Sequence, residues 1–183
     1  GEDPVHHLIT MGLHHISGKK RWSAVNQAQF ISDLYYKHEK SEEQICSSLG
    51  ITKHNLRRNI RTLALIEQYK KSDYGDQFET NMFSFFEEVI RNQAMKEWIE
   101  WNDFEYHAEN KNNLERFFSW ISMTEEIERS EDGEDIYTKS EPIVTQSRQI
   151  REISTFIKDE KALSRMEESR SISEAYSFSD AVV

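Results

Sequence analysis

The chain reads as an all-α protein, and three observations predict it. Polar and apolar residues alternate with a helical period over most of the 183 residues, with only two prolines and six glycines to interrupt them. Capping residues stand where several of these patterns begin. The expected architecture is a helix-turn-helix three-helix unit, then an aromatic-rich helical region, then a small C-terminal helical segment. Hydrophobic content of 37% and a mean hydropathy of -0.78 are low for a compact globule, so part of the chain is expected to be extended or loosely packed.

Residues 1–22 open with a short helical pattern, Val5, Leu8, Ile9 and Leu13, and end in a basic turn from Ser17 to Arg21. They are read as a connector from an N-terminal domain outside this chain, since Gly1 replaces an initiator methionine. His6-His7 and His14-His15 lie two helical turns apart, too far for one metal to bridge on one helix, so no metal site is expected. Ser23 can cap a helix to about Lys37 whose Ala28, Ile31, Leu34 and Tyr35 share a face, with Trp22 anchoring its start.

Residues 23–72 hold the stretch that organises the rest. Ser41-Glu42-Glu43-Gln44 is a capping box, and Ile45, Cys46 and Leu49 give a short helix its apolar face. Gly50 stands where the chain must leave that helix, and Thr52 can cap the next. In the second helix Leu56, Ile60, Leu63 and Ala64 form one buried stripe. The opposite face shows His54, Arg58, Arg61 and Thr62, flanked by Asn55 and Arg57. From Lys53 to Lys71 there are six basic residues and one acidic, in a chain of net charge -10. That local reversal fits a polyanion-binding face, so Lys53, His54, Asn55, Arg57, Arg58 and Arg61 are the candidate DNA contacts. The alternative is an ordinary helical hairpin with a solvated basic face. The overall acidity weighs against electrostatic coating of DNA but leaves room for a local site, because distant charges are screened.

Residues 78–122 form the aromatic-rich region. A helix over 78–91 is expected to bury Met82, Phe83, Phe86, Val89 and Ile90; a short helix with Trp98, Ile99 and Trp101 follows; after a polar break at His107–Asn113, a third buries Leu114, Phe117, Phe118 and Ile121. These spacings are those of helix cores, in preference to a base-stacking platform. Residues 123–145 read as an acidic linker, with seven acids and one arginine between Thr124 and Asp135. The sharper alternative is an acidic arm that competes for the basic helix. Residues 146–183 return to helical pattern through Ile150, Ile153, Ile157, Leu163 and Met166, with a second capping box at Ser171–Glu174 and a frayed FSDAVV end.

Several classes fall away. One cysteine, Cys46, excludes an intrachain disulfide and suggests a reducing, cytoplasmic setting. No apolar run is long enough to cross a membrane, and no signal peptide is visible. No P-loop, GxSxG, GxGxxG or mechanistic Cys–His spacing occurs, so neither a catalytic role nor a cofactor is expected for this chain.

The stretch from His14 to Leu65 resembles the central region of the ParB-like family, in which a basic turn, a helix and a helix-turn-helix follow a ParB/sulfiredoxin-like domain. Its most specific part, LGITKHNLRRNIRTLAL, is similar to the family's LGxSxxxVxxxLRLLxL, with Gly50, Leu56, Ile60, Arg61, Leu63 and Leu65 on the fixed positions. The turn HHISGKKRW is similar to the segment that closes the family's N-terminal domain and helps hold nucleotide phosphates. The family's GxRR-type motif is absent, as expected if it lies upstream of Gly1, and residues 78–183 do not look like the ParB dimerisation region. The resemblance implies duplex-DNA binding through residues 41–65. A homodimer, and a protein partner at the C-terminal helical region, stay open. So does the alternative of a protein-interaction or regulatory module of an enzyme whose catalytic domain lies upstream of residue 1.

Overall fold

The computed structural model describes residues 3–17 and 21–182, with side chains at 3–16 and 21–177. The middle of the basic turn, Gly18–Lys20, lies outside the described residues. The chain is mostly helical, in the order α1 (Pro4–Ser17), α2 (Ala24–Tyr36), α3 (Glu42–Leu49), α4 (Lys53–Lys70), α5 (Phe83–Arg91), α6 (Gln93–Trp98), β1 (Trp101–Asn102), β2 (His107–Ala108), α7 (Lys111–Trp120), β3 (Thr124–Arg129), β4 (Asp135–Ser140), α8 (Arg148–Ser154), α9 (Glu160–Ser169) and α10 (Ile172–Val182). No helix among the described residues is long and apolar enough to cross a membrane.

The caps explain helices α2, α3 and α4. Ser23 Oγ accepts from the Asn26 amide and starts α2. Ser41 and Gln44 form the reciprocal box, at 3.1 Å and 2.9 Å, that starts α3. Gly50 ends α3 at φ 70, ψ 33, where a side chain would cost about 1–2 kcal/mol of backbone strain. Thr52 Oγ1 then accepts from the Asn55 amide at 3.0 Å and starts α4.

Helix α4 is the beam of the fold. Its first half puts Leu56 and Ile60 into a small core with Phe30, Ile31 and Leu34 of α2 and Ile45 and Leu49 of α3. Residues of α1 and Trp22 pack on that core. Trp22 stacks on His15 at 4.8 Å and meets Phe30 edge-on at 5.2 Å. The second half of α4 puts Leu63, Leu65, Ile66 and Tyr69 into a larger core with α5, α7, α8 and α9. There Tyr69 packs on Phe86 and Phe118, and its hydroxyl meets Ser122 Oγ at 2.7 Å. Phe83, Phe86, Phe117 and Phe118 are buried in this core, as their spacing predicts.

Several expectations need correction. The fold is not purely helical, because two small antiparallel hairpins, β1–β2 and β3–β4, interrupt it. The first takes Trp101 out of the expected helix, and its second strand, His107–Ala108, occupies the start of the expected polar break. The segment read as an acidic linker is the second hairpin. Its acids face water on a two-sided ribbon, Ile127 pairs across with Tyr137, and Gly133 turns the chain at φ 82. The helix expected over 78–91 begins at Phe83, because Phe78 is extended and a 3-10 turn at Thr80–Met82 precedes it. The second capping box does not form: Ser171 Oγ bonds Ser173 Oγ at 2.9 Å, and Glu174 takes Arg165 at 3.2 Å. At the C-terminus the helix continues through Val182, where a frayed end is expected from sequence.

Candidate nucleic-acid interface

The candidate site is the outward face of α4, which the two caps hold rigidly against α3. His54 is exposed at its N-terminal end, with Asn55 half-buried beside it. Asn55 is occupied locally, since its Oδ1 and carbonyl oxygen both accept from Asn59 Nδ2 at 2.9 Å. Thr62, expected on the open face, is buried and donates its hydroxyl back to the Arg58 carbonyl at 2.7 Å. Helix α5 and the larger core close over that side of α4.

The cations do not stand alone. Lys53 Nζ lies 2.7 Å from Glu43 Oε1. Arg57 donates from Nε and Nη2 to both oxygens of Glu42, at 3.0 and 2.8 Å. The hydrogen bond from Arg57 is the main cause holding the Glu42 carboxyl below its ordinary range, and Lys53 does the same for Glu43. Arg61 Nε sits 3.3 Å from Asp103 Oδ1, close enough for an ion pair but without hydrogen-bond alignment. Arg58 has no ion pair among the described residues, and its buried Nε has no partner.

Asp103 reaches Arg61 because the β1–β2 hairpin lies along α4. Gln68 clamps the hairpin by pairing both ways with the Ala108 backbone, at 2.9 and 3.2 Å. Gln68, Arg61 and Arg57 share one helical face, seven and four residues apart. Tyr106, at the far end of the hairpin, packs on the small core. Phe104, at the hairpin tip, is 96% exposed.

The structure thus keeps Lys53, His54, Asn55, Arg57, Arg58 and Arg61 on the first half of one helix and adds three carboxylates to them. Glu42 and Glu43 were readable as neighbours, since a capping box places them in the first turn of α3 and a short turn returns the chain beside it. Asp103 carries no such signal, because only the docking of a distant hairpin brings it to Arg61. Among the described residues no group of three or more His, Cys, Asp or Glu side chains is placed to hold a metal ion. No protein-family model, curated protein or solved structure matches this chain.

Proposed function

We propose that α2, α3 and α4 form a helix-turn-helix and that the N-terminal half of α4 enters the major groove of duplex DNA, as the resemblance to ParB-like proteins implies. The observation that carries this reading is the capped α3–α4 corner: the left-handed Gly50 and the Thr52 cap present the first turns of α4 at a fixed angle. In this geometry His54, Asn55 and Arg58 stand nearest base edges, and Lys53, Arg57 and Arg61 contact phosphates after exchanging their carboxylate partners. Affinity is therefore modest and strongly salt-dependent.

The test is a fluorescence titration of random duplex DNA at two salt concentrations, with the Arg58→Glu/Arg61→Glu variant alongside. Binding that weakens with salt and is lost in the variant supports the reading. Unchanged affinity in the variant defeats it.

A second reading rests on a specific observation. Glu42, Glu43 and Asp103 already engage three of the four cations on the first half of α4. Such a face suits a protein-interaction or regulatory module of an enzyme whose ParB/sulfiredoxin-like domain precedes this chain. Absence of DNA binding even at low salt favours it.

A further inference from the structure

A two-stranded hairpin is marginal in water unless further strands or a packed face support it. Among the described residues the β3–β4 hairpin has neither, and every residue from Asp135 to Lys139 is exposed. Ile127, Ile136 and Tyr137 stand 62%, 50% and 63% exposed.

The ladder shows which backbone groups are open. The Ser130 amide donates to the Glu134 carbonyl at 2.9 Å, the rung next to the turn. Antiparallel rungs alternate, so the Glu128–Ile136 and Glu126–Thr138 pairs exchange hydrogen bonds, whereas Arg129–Asp135, Ile127–Tyr137 and Glu125–Lys139 do not. The N–H and C=O groups of Asp135, Tyr137 and Lys139 therefore point away from β3, along the outer edge of β4. No described group bonds them there.

We infer that this edge pairs with β4 of a second copy of the chain, about a twofold axis at Tyr137, to make a four-stranded antiparallel sheet. Charge complementarity selects both the edge and the register. About Tyr137, Asp135 opposes Lys139 of the second copy, Ile136 opposes Thr138, and the two tyrosines meet; opposite-charge and aromatic pairs of this kind favour a sheet. The same operation through β3 about Ile127 sets Glu125 against Arg129 of the second copy but also Glu126 against Glu128, each twice, so its attractive pairing is offset by a repulsive one that the β4 edge lacks. Both feet of the hairpin are held to the body, β3 by two hydrogen bonds between Gln77 and the Met123 backbone at 3.0 and 2.9 Å and β4 by Arg170 Nη2 donating to the Glu141 carbonyl at 2.7 Å, so charge alone separates the two edges. The pairing uses one edge of each copy and closes on itself, so it ends at a dimer. One face of the new sheet carries Ile127 and Tyr137 from both copies side by side. The inference stands whether or not α4 binds DNA.

Analytical ultracentrifugation of the full chain over micromolar to millimolar concentrations tests it, with two variants. Tyr137→Pro removes an N–H that the hairpin's own ladder does not use, and proline is tolerated on such an edge. It should weaken the dimer about tenfold or more while the circular dichroism of the helical body is retained. In a Cys46→Ser background, Tyr137→Cys should form an intermolecular disulfide on mild oxidation, since residues facing each other in a hydrogen-bonded pair lie about 5.5 Å apart at Cα. Glu126→Cys in the same background should not. A chain that stays monomeric throughout with no disulfide at position 137, or a dimer that Tyr137→Pro leaves intact, overturns the inference.

Discussion

Arg57 closes a bidentate ion pair with Glu42 across the α3–α4 corner, its Nε 3.0 Å from Oε1 and its Nη2 2.8 Å from Oε2. The same carboxylate that helps start α3 thereby fixes the angle of α4 and neutralises one of its cations. Lys53 and Glu43 add a second ion pair across the same corner, at 2.7 Å. Any polyanion that approaches α4 competes with these internal partners.

That competition sets the first prediction. Glu42→Gln/Glu43→Gln frees Lys53 and Arg57, so duplex-DNA affinity should rise at low salt. The salt dependence should steepen by about 0.9 in log–log slope for each released cation that meets a phosphate. Titrations of wild type and variant at several salt concentrations check both effects.

The second concerns pH. Arg57 and Lys53 lower the Glu42 and Glu43 carboxyls below their unfolded values. For groups shifted in that direction, the stabilisation is present above the unfolded carboxylate pKa of about 4.3 and is lost as pH falls through the lower folded values. Urea midpoints of wild type and of Glu42→Gln/Glu43→Gln should therefore differ at neutral pH and converge in acid. A gap that widens in acid contradicts the sign.

Leu56 is fully buried in the small core. Leu56→Ala should destabilise the protein by about 2–5 kcal/mol, the range for a leucine cavity that relaxes only in part. Chemical denaturation measures it directly.

Tyr69 and Ser122 form a buried hydroxyl pair at 2.7 Å. Tyr69→Phe keeps the ring packing and leaves Ser122 without that partner, so it should cost about 1–3 kcal/mol in the same measurement.

The acids of the β3–β4 hairpin give a negative expectation. Among the described residues none of the seven from Glu125 to Asp135 pairs with a cation of α4, and Glu125 pairs with Lys139 at 3.4 Å. Neutralising all seven should change affinity for random duplex DNA no more than neutralising seven acids elsewhere. A much larger gain would show local competition with α4.

What was legible in the sequence was local. Ser23, Ser41 with Gln44, Gly50 and Thr52 each act within a few residues of their own position, so their hydrogen bonds and backbone angles follow from neighbours along the chain. The periodicity of Leu56, Ile60 and Leu63 likewise reports which side of α4 is buried, whatever it packs against. The candidate contacts on the first half of α4 were legible for the same reason. The β3–β4 hairpin was harder to read, because seven acids outweigh the few β-formers Ile127, Ile136, Tyr137 and Thr138 when composition alone is judged.

Tertiary structure decided the rest. The sequence by itself determined the capped corner and the apolar stripe, since both arise from contacts within about one helical turn. Position on the helix puts Thr62 on the open face, yet it is buried, because packing with the larger core covers more of α4 than one stripe. Only the folded chain carries Asp103 to Arg61 and Gln68 to Ala108, because those contacts depend on how a hairpin far along the sequence docks on α4. Side-chain identity sets which groups can pair; the path of the backbone between them sets which groups meet.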